Sequence, residues 1–309
     1  MDAVILRSIL IDRPRRTFDP PCSAISPLPC TDALEDSHDD YRRPTAILHD
    51  KQASASDEKA RIIELANTPR AREERVKLAA AYRMIARRGL DDGIAGHISL
   101  RVPGAPEYFW VNPFGCLFRE VTAENLVLVS KDGEILDGGA MINFAGFQIH
   151  SAIHQARPDV NCAVHTHPPA GSAFSSLAVP LEALDQTACS FVDDHAVYRN
   201  YTGIVIDSDQ AREIVEALGD KRALILANHG LLTCAGTVEQ ALIDMLDMER
   251  TCEVNLRAMA TGRPLQPVPR EVALQSRMIL TQEGRYPFQW QAMIRDLDRS
   301  ETDYNPWRN

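Results

Sequence analysis

A chain of 309 residues, 45% hydrophobic and 25% charged, is composed like a globular protein and is long enough for one large domain or two small ones. Its net charge of −10 advertises no basic face for nucleic acid, and no apolar run approaches the roughly 18 residues of a membrane span. The seven cysteines (22, 30, 116, 162, 189, 234 and 252) are odd in number and scattered without a Cys-x-x-Cys pair, so reduced thiols and a cytoplasmic protein are expected.

Residues 1–68 show no sustained period and many breakers, including Pro20-Pro21, Pro27, Pro29 and Pro44, and are expected to form a disordered extension. The arginines at 7, 13, 15 and 16 resemble a transit peptide, against which Asp2 and Asp12 count. From Glu74 to Arg88 apolar residues recur with helical spacing, stopped by Gly89. Short strands are expected at His97–Val102, Tyr108–Val111 and Leu126–Ser130, then a helix over Phe144–Ala156 ended by Arg157-Pro158. A buried strand from Val160 runs into His165-Thr166-His167, followed by short helices at Pro168–Leu177 and Asp209–Leu218. The strand Ala223–Ala227 turns into Leu231-Leu232-Thr233, and Thr237 caps a long helix from Val238 to Thr261. Helices and strands mix throughout, so residues 69–265 read as one α/β domain. The tail, 266–309, offers one or two short helices and the aromatics Tyr286, Phe288, Trp290 and Trp307, to pack on the domain or on a neighbouring subunit.

The chemistry concentrates in histidines. His165 and His167, two apart on a strand, project from one face, and His229 sits at the end of another strand. A lone His-x-His pair is as well explained by backbone hydrogen bonds; a third histidine makes an open site for zinc, iron or manganese the stronger reading.

Four stretches are similar to the class II aldolase/adducin family: Tyr82-Arg83 through Gly96-His97-Ile98-Ser99-Leu100-Arg101; Val111-Asn112-Pro113-Phe114-Gly115; Arg157-Pro158-Asp159 with His165-Thr166-His167-Pro168; and Ala227-Asn228-His229-Gly230-Leu231-Leu232. The resemblance implies a three-layer α/β/α sandwich around a mostly antiparallel sheet, and homotetramers with metal sites near subunit interfaces. It also implies that His165, His167 and His229 hold a divalent metal, typically zinc, which adducin-type scaffolds have generally lost. The departures bear on substrate. Where sugar-phosphate aldolases of the family carry Ser-Ser-Glu, this chain has Phe144, Ala145 and Gly146; the asparagine of its Gly-Asn-x-Ser-x-Arg is His97, and the threonine of its Thr-Gly loop is Phe114, beside Gly115. Phosphate donors and the acid–base glutamate are both gone. Phe114, Gly115, Phe144 and Gly146 are therefore expected to line a pocket suited to an aromatic or alkyl group, unless the phenylalanines simply fill core space.

With no glutamate, a histidine is the natural proton carrier, and His150, His97 and His195 are the candidates, each with a structural alternative in a hydrogen bond to its surroundings. His154 shares a helix face with His150. The reading is a metal-dependent carbon–carbon lyase, of aldolase or decarboxylase type, acting on a small non-phosphorylated hydroxy- or keto-acid. An Fe(II) oxygenase of the same fold and a non-catalytic adducin-like binding protein are the alternatives.

Overall fold

The computed structural model describes residues 45–205, 208–282 and 284–308. In chain order the elements are α1 (Thr45–Ala66), α2 (Pro69–Arg87), β1 (His97–Val102), β2 (Ala105–Val111), β3 (Val127–Ser130), β4 (Ile135–Asp137), α3 (Phe144–Ala156), β5 (Cys162–Thr166), α4 (Pro169–Ser175), β6 (His195–Tyr198), α5 (Ser208–Leu218), β7 (Ala223–Leu226), β8 (Gly230–Ala235), α6 (Val238–Ala260), α7 (Arg270–Leu280) and α8 (Arg285–Leu297). The strands form one sheet in the order β4-β3-β2-β1-β5-β8-β7-β6, antiparallel throughout except for the parallel pair β6–β7.

Two cores lie on opposite faces of that sheet. Ile98, Leu100, Cys162, Val164, Ile225 and Leu231 point to the face covered by α2 and α6, where Leu78, Tyr82, Leu242 and Met245 meet them. Ala163, Leu224, Leu226 and Leu232, one residue out of phase, point to the face of α3 and α5, against Ile149, Ile153, Ile214 and Leu218. The two-residue period of a strand therefore decides on which face every histidine lies. His165, two residues after Ala163, faces α3, as do His97 and Ser99, which pair with His165 and Ala163 across β1–β5.

Helix ends follow local chemistry. Thr68 accepts a hydrogen bond from the Ala71 amide with Pro69 in the first turn, Asn143 accepts from Gly146, and Thr237 accepts from Gln240. Two expectations change and one narrows. Helix extends ahead of Pro69, because α1 ends in a cluster of Ile62, Ile63, Leu65 and Ala66 that joins the core beside α2; residues 1–44 lie outside the described residues. Strands β4 and β6 escaped the sequence reading because each is only three or four residues long and is bounded by polar residues. The tail packs on its own domain: Trp290, Leu297 and Tyr304 enter the core of the α2 face, and the buried Arg83 guanidinium binds Asp303 at 2.9 Å.

The described cysteines, 116, 162, 189, 234 and 252, are buried and unbridged; Cys22 and Cys30 lie outside the described residues. Among the described residues no helix is long and apolar enough to cross a membrane.

Candidate metal centre

His165, His167 and His229 meet at the ends of β5 and β7. Each can offer one ring nitrogen such that all three lie within 4.8 Å of one another. His165 Nε2 and His167 Nε2 are 3.1 Å apart, and the His229 ring lies 4.7 Å from both other rings, centroid to centroid.

The rings are aimed from behind. His165 Nδ1 donates to the Leu231 carbonyl at 2.8 Å, which fixes its tautomer and leaves Nε2 as a bare lone pair. His167 Nδ1 faces Asp92 Oδ2 at 3.3 Å, an arrangement that orients its Nε2 in the same way. His229 stands in the turn from β7 to β8, after Asn228 in the left-handed conformation (φ 56°). The chain there passes so close to β5 that a Cβ on Gly230 would lie 2.6 Å from the Thr166 carbonyl and 2.9 Å from the His167 ring, so only glycine fits. Burial holds the His165 imidazole well below its ordinary pKa. Burial first, and His167 second, bring His229 down to about 4. His165 and His229 are therefore neutral near pH 7, the form that binds a cation.

A second polar group lies alongside, between the sheet and α3. His97 Nδ1 is 2.8 Å from His150 Nε2, His150 Nδ1 is 2.6 Å from Ser99 Oγ, and Ser99 Oγ is 2.7 Å from His154 Nε2. The run ends where His154 Nδ1 meets the Val160 carbonyl at 3.2 Å. All four side chains are buried. Burial is the main cause that lowers the three histidines, His154 to about 3. His97 extends towards the trio, its ring 5.1 Å from that of His165. It can do so because position 146 is glycine: a Cβ there would lie 1.7 Å from His97 Nε2. The loss of a side chain at 146 and the gain of a ring at 97 are thus one exchange of volume. His97, His150, Val111, Asn112, Ile142, Asn143 and Phe147 enclose a recess of about 10 Å³, room for about one water-sized group.

The other expected residues divide. Phe114 and Phe144 are 42% and 54% exposed, so neither is core filling. Phe144 leans towards Gly133, and Gly115 is exposed beside Phe114. His195 does not join the cluster. It starts β6 opposite Ala223, at the end of the β6–β7 pair remote from His229. Its Nδ1 donates to the Phe191 carbonyl at 2.7 Å and its Nε2 accepts from the Leu181 amide at 2.9 Å, so both nitrogens serve the backbone. Asp194, its neighbour in sequence, instead binds Arg222 at 2.6 Å. Sequence reasoning missed Asp92, whose only signal is a polar loop before Gly96-His97, and it passed over Ser99 as a motif marker without a role. Tyr201, half-exposed, also escaped; its ring is 6.4 Å from His229. Larger clefts lie elsewhere, one of about 550 Å³ between α3 and α5 around Ser151, Gln155 and Arg212.

The profile of the class II aldolase and adducin N-terminal domain matches residues 76–256. The chain belongs to the class II aldolase/adducin family. A 4-hydroxy-3-prenylphenylpyruvate oxygenase/4-hydroxy-3-prenylbenzoate synthase of Streptomyces roseochromogenus is 41% identical over 63% of this chain and 71% of its own length. Decarboxylase NovR of Streptomyces niveus is 40% identical over 63% of this chain and 73% of its own. The solved structure of an L-fuculose 1-phosphate aldolase from Glaciozyma antarctica superimposes with a TM-score of 0.68 at 37% identity, covering 74% of this chain and 89% of that one. The α/β sheet flanked by helices is thus the fold of class II aldolases.

Proposed function

We propose that this member of the class II aldolase/adducin family is a divalent-metal-dependent carbon–carbon lyase, of decarboxylase or aldolase type, acting on a non-phosphorylated hydroxy- or keto-acid with an aromatic or alkyl portion. The observation that carries this is the pairing of the convergent His165–His167–His229 trio with a neutral His97 in the volume vacated at Gly146. The trio fits a cation on its own chemistry: ring nitrogens turned inward, His165 and His229 lowered by burial, and two rings braced from behind by Leu231 and Asp92. Zinc suits three such donors best, and when bound it supplies Lewis-acid polarisation of a carbonyl or carboxylate.

The chain's own residues supply the rest. In retro-aldol cleavage and in decarboxylation alike, the electrons of the broken bond stay on the carbon next to a carbonyl, and that carbon must receive a proton. His97 stands beside the trio with His150 behind it and is the group we assign to take a proton at Nε2 from the substrate hydroxyl, or from water, and to return it to that carbon. Phe144, Ala145 and Phe114 supply no side-chain donor to a phosphate, whereas the exposed faces of Phe114 and Phe144 can cover an apolar ring. The names of the two Streptomyces relatives, which specify prenylated hydroxyphenyl acids and a decarboxylase, support the same substrate class. Exposed Met141, Tyr201 and Ile204 lie in the segments next to the site, which supports assembly into a homo-oligomer, a tetramer by family analogy.

Metal analysis of protein purified without added metal, followed by a screen of hydroxy- and keto-acids for carbon dioxide or aldehyde release, tests the reading. Zinc or another divalent ion with cleavage of an aromatic acid is the expected result. Turnover confined to sugar phosphates, such as L-fuculose 1-phosphate, would refute the substrate assignment. A metal-free protein unchanged by His167→Ala would instead favour an adducin-like binding role. The relative named as an oxygenase favours one second reading, Fe(II)-dependent oxidation at the same trio. It requires iron in the purified protein and turnover that stops without oxygen.

A further inference from the structure

The hydrogen bonds behind His97 run in one direction only, and the direction is set at the far end. The Val160 carbonyl can only accept, so His154 Nδ1 carries the proton and His154 Nε2 is an acceptor. Ser99 has one hydroxyl proton and gives it to His154 Nε2; its oxygen then accepts from His150 Nδ1. His150 Nε2 is left as an acceptor, and it takes the proton of His97 Nδ1. The remaining nitrogen, His97 Nε2, is a bare lone pair on the side of the ring that faces the space above Gly146. Reversing every proton would leave His154 Nδ1 and the Val160 carbonyl, two buried acceptors, facing each other, which costs about 1–3 kcal/mol for an unmade buried bond.

The far end is itself held. Arg101 Nη2 donates to the Val160 carbonyl at 3.0 Å and to the His154 carbonyl at 2.8 Å. Phe109 stacks on the His154 ring at 4.5 Å and 18°. The Arg101 charge also disfavours protonation of His154, which keeps that ring a single-proton member of the chain.

The geometry points to Ser99 and His154 as positioning residues that, through His150, lock His97 in its Nδ1-protonated tautomer with Nε2 bare towards the space above Gly146. The catalytic consequence rests on the proposed role of His97; the tautomer does not. This division of labour lets a proton be taken up at His97 Nε2 without any of the buried partners changing its own bond.

Long-range proton–nitrogen NMR of the full chain with ¹⁵N-labelled histidine, metal-loaded, reads the tautomers directly. His97, His150 and His154 should each show one protonated Nδ1 and one unprotonated Nε2, assigned by comparison with single His→Gln variants. A proton on His97 Nε2, or averaged tautomers at His97 in the unaltered protein, overturns the proposal. Ser99→Ala cuts the chain between His150 and His154. It should turn His97 into a mixture of tautomers and lower kcat about 10- to 100-fold, the scale of losses seen when a supporting hydrogen bond is removed, with KM and metal content nearly unchanged. Ser99→Thr, which keeps the hydroxyl, should restore the single tautomer. A Ser99→Ala protein with an unaltered His97 spectrum also sinks the proposal. Correct tautomers in a protein that cleaves no acid would leave this inference standing and remove the lyase reading instead.

Discussion

Two groups of three histidines sit side by side in this fold, and they differ in what occupies their nitrogens. In the trio His165, His167 and His229, the outer nitrogens of His165 and His167 are engaged by a carbonyl and a carboxylate while the inner ones converge on shared space. In His97, His150 and His154, nearly every nitrogen meets the next member of a chain, and only His97 Nε2 is left over. Burial lowers His165 and His229 in one group and all three rings of the other, yet one group is arranged to hold a cation and the other to hold an orientation. Residue type alone does not separate them; the partner behind each ring does.

The contrast breaks most visibly on metal content. His229→Ala removes one of three donors and should abolish stoichiometric metal binding by elemental analysis, whereas His154→Gln should leave it intact. Equal metal loss in both variants would erase the distinction. A smaller effect is expected from Asp92→Asn, which leaves the trio whole but weakens the brace on His167. A 10- to 100-fold weaker affinity, about 1.4–2.7 kcal/mol, should appear in a competition titration with a chelator. No change would mean that the 3.3 Å contact of Asp92 does not hold the ring in solution.

The trio was legible in the sequence because strand periodicity is local: residues 165 and 167 must share a face whatever surrounds them. The sheet itself was legible from short, largely apolar runs bounded by polar or turn residues, such as Cys162–Thr166 and Ala223–Leu226, fully buried in the fold. The chain behind His97 was not, because it depends on register between elements far apart. Ser99 reaches α3 only because β1 pairs with β5 so that Ser99 lies opposite Ala163, and no local pattern announces that pairing. His195 misled for the opposite reason. It was one of three candidate proton carriers, but the backbone claims both its nitrogens and Arg222 claims the neighbouring Asp194. Gly146 carried its meaning only together with His97, since an empty position is informative once the neighbour that fills it is known.

The buried chain should also show itself in the acid stability of the protein, with the smallest effect and the cleanest sign. In the unfolded chain His154 takes up a proton near its ordinary pKa of 6.5, while in the fold burial holds it at about 3. The unfolded state therefore binds more protons throughout that window, and stability must fall as pH drops below 6.5. Between pH 6.5 and 5.5 this one residue should account for about 1 kcal/mol, without discount for solvent because its ring is buried. His97, His150 and His165 are depressed in the same direction, so the whole protein should lose more. Asp244, raised to about 6 chiefly by burial, titrates in the same window with the opposite sign, and absolute stabilities cannot isolate either effect. The difference between proteins can. Urea unfolding of the unaltered protein and of His154→Gln at both pH values should give a loss on acidification that is about 1 kcal/mol smaller in the variant, because Asp244 is common to both and cancels. An equal loss in the two proteins would mean that His154 is already protonated in the fold at pH 5.5. It would then have two donors, Ser99 could no longer give it a proton, and the direction of the chain that leaves His97 Nε2 bare would be lost.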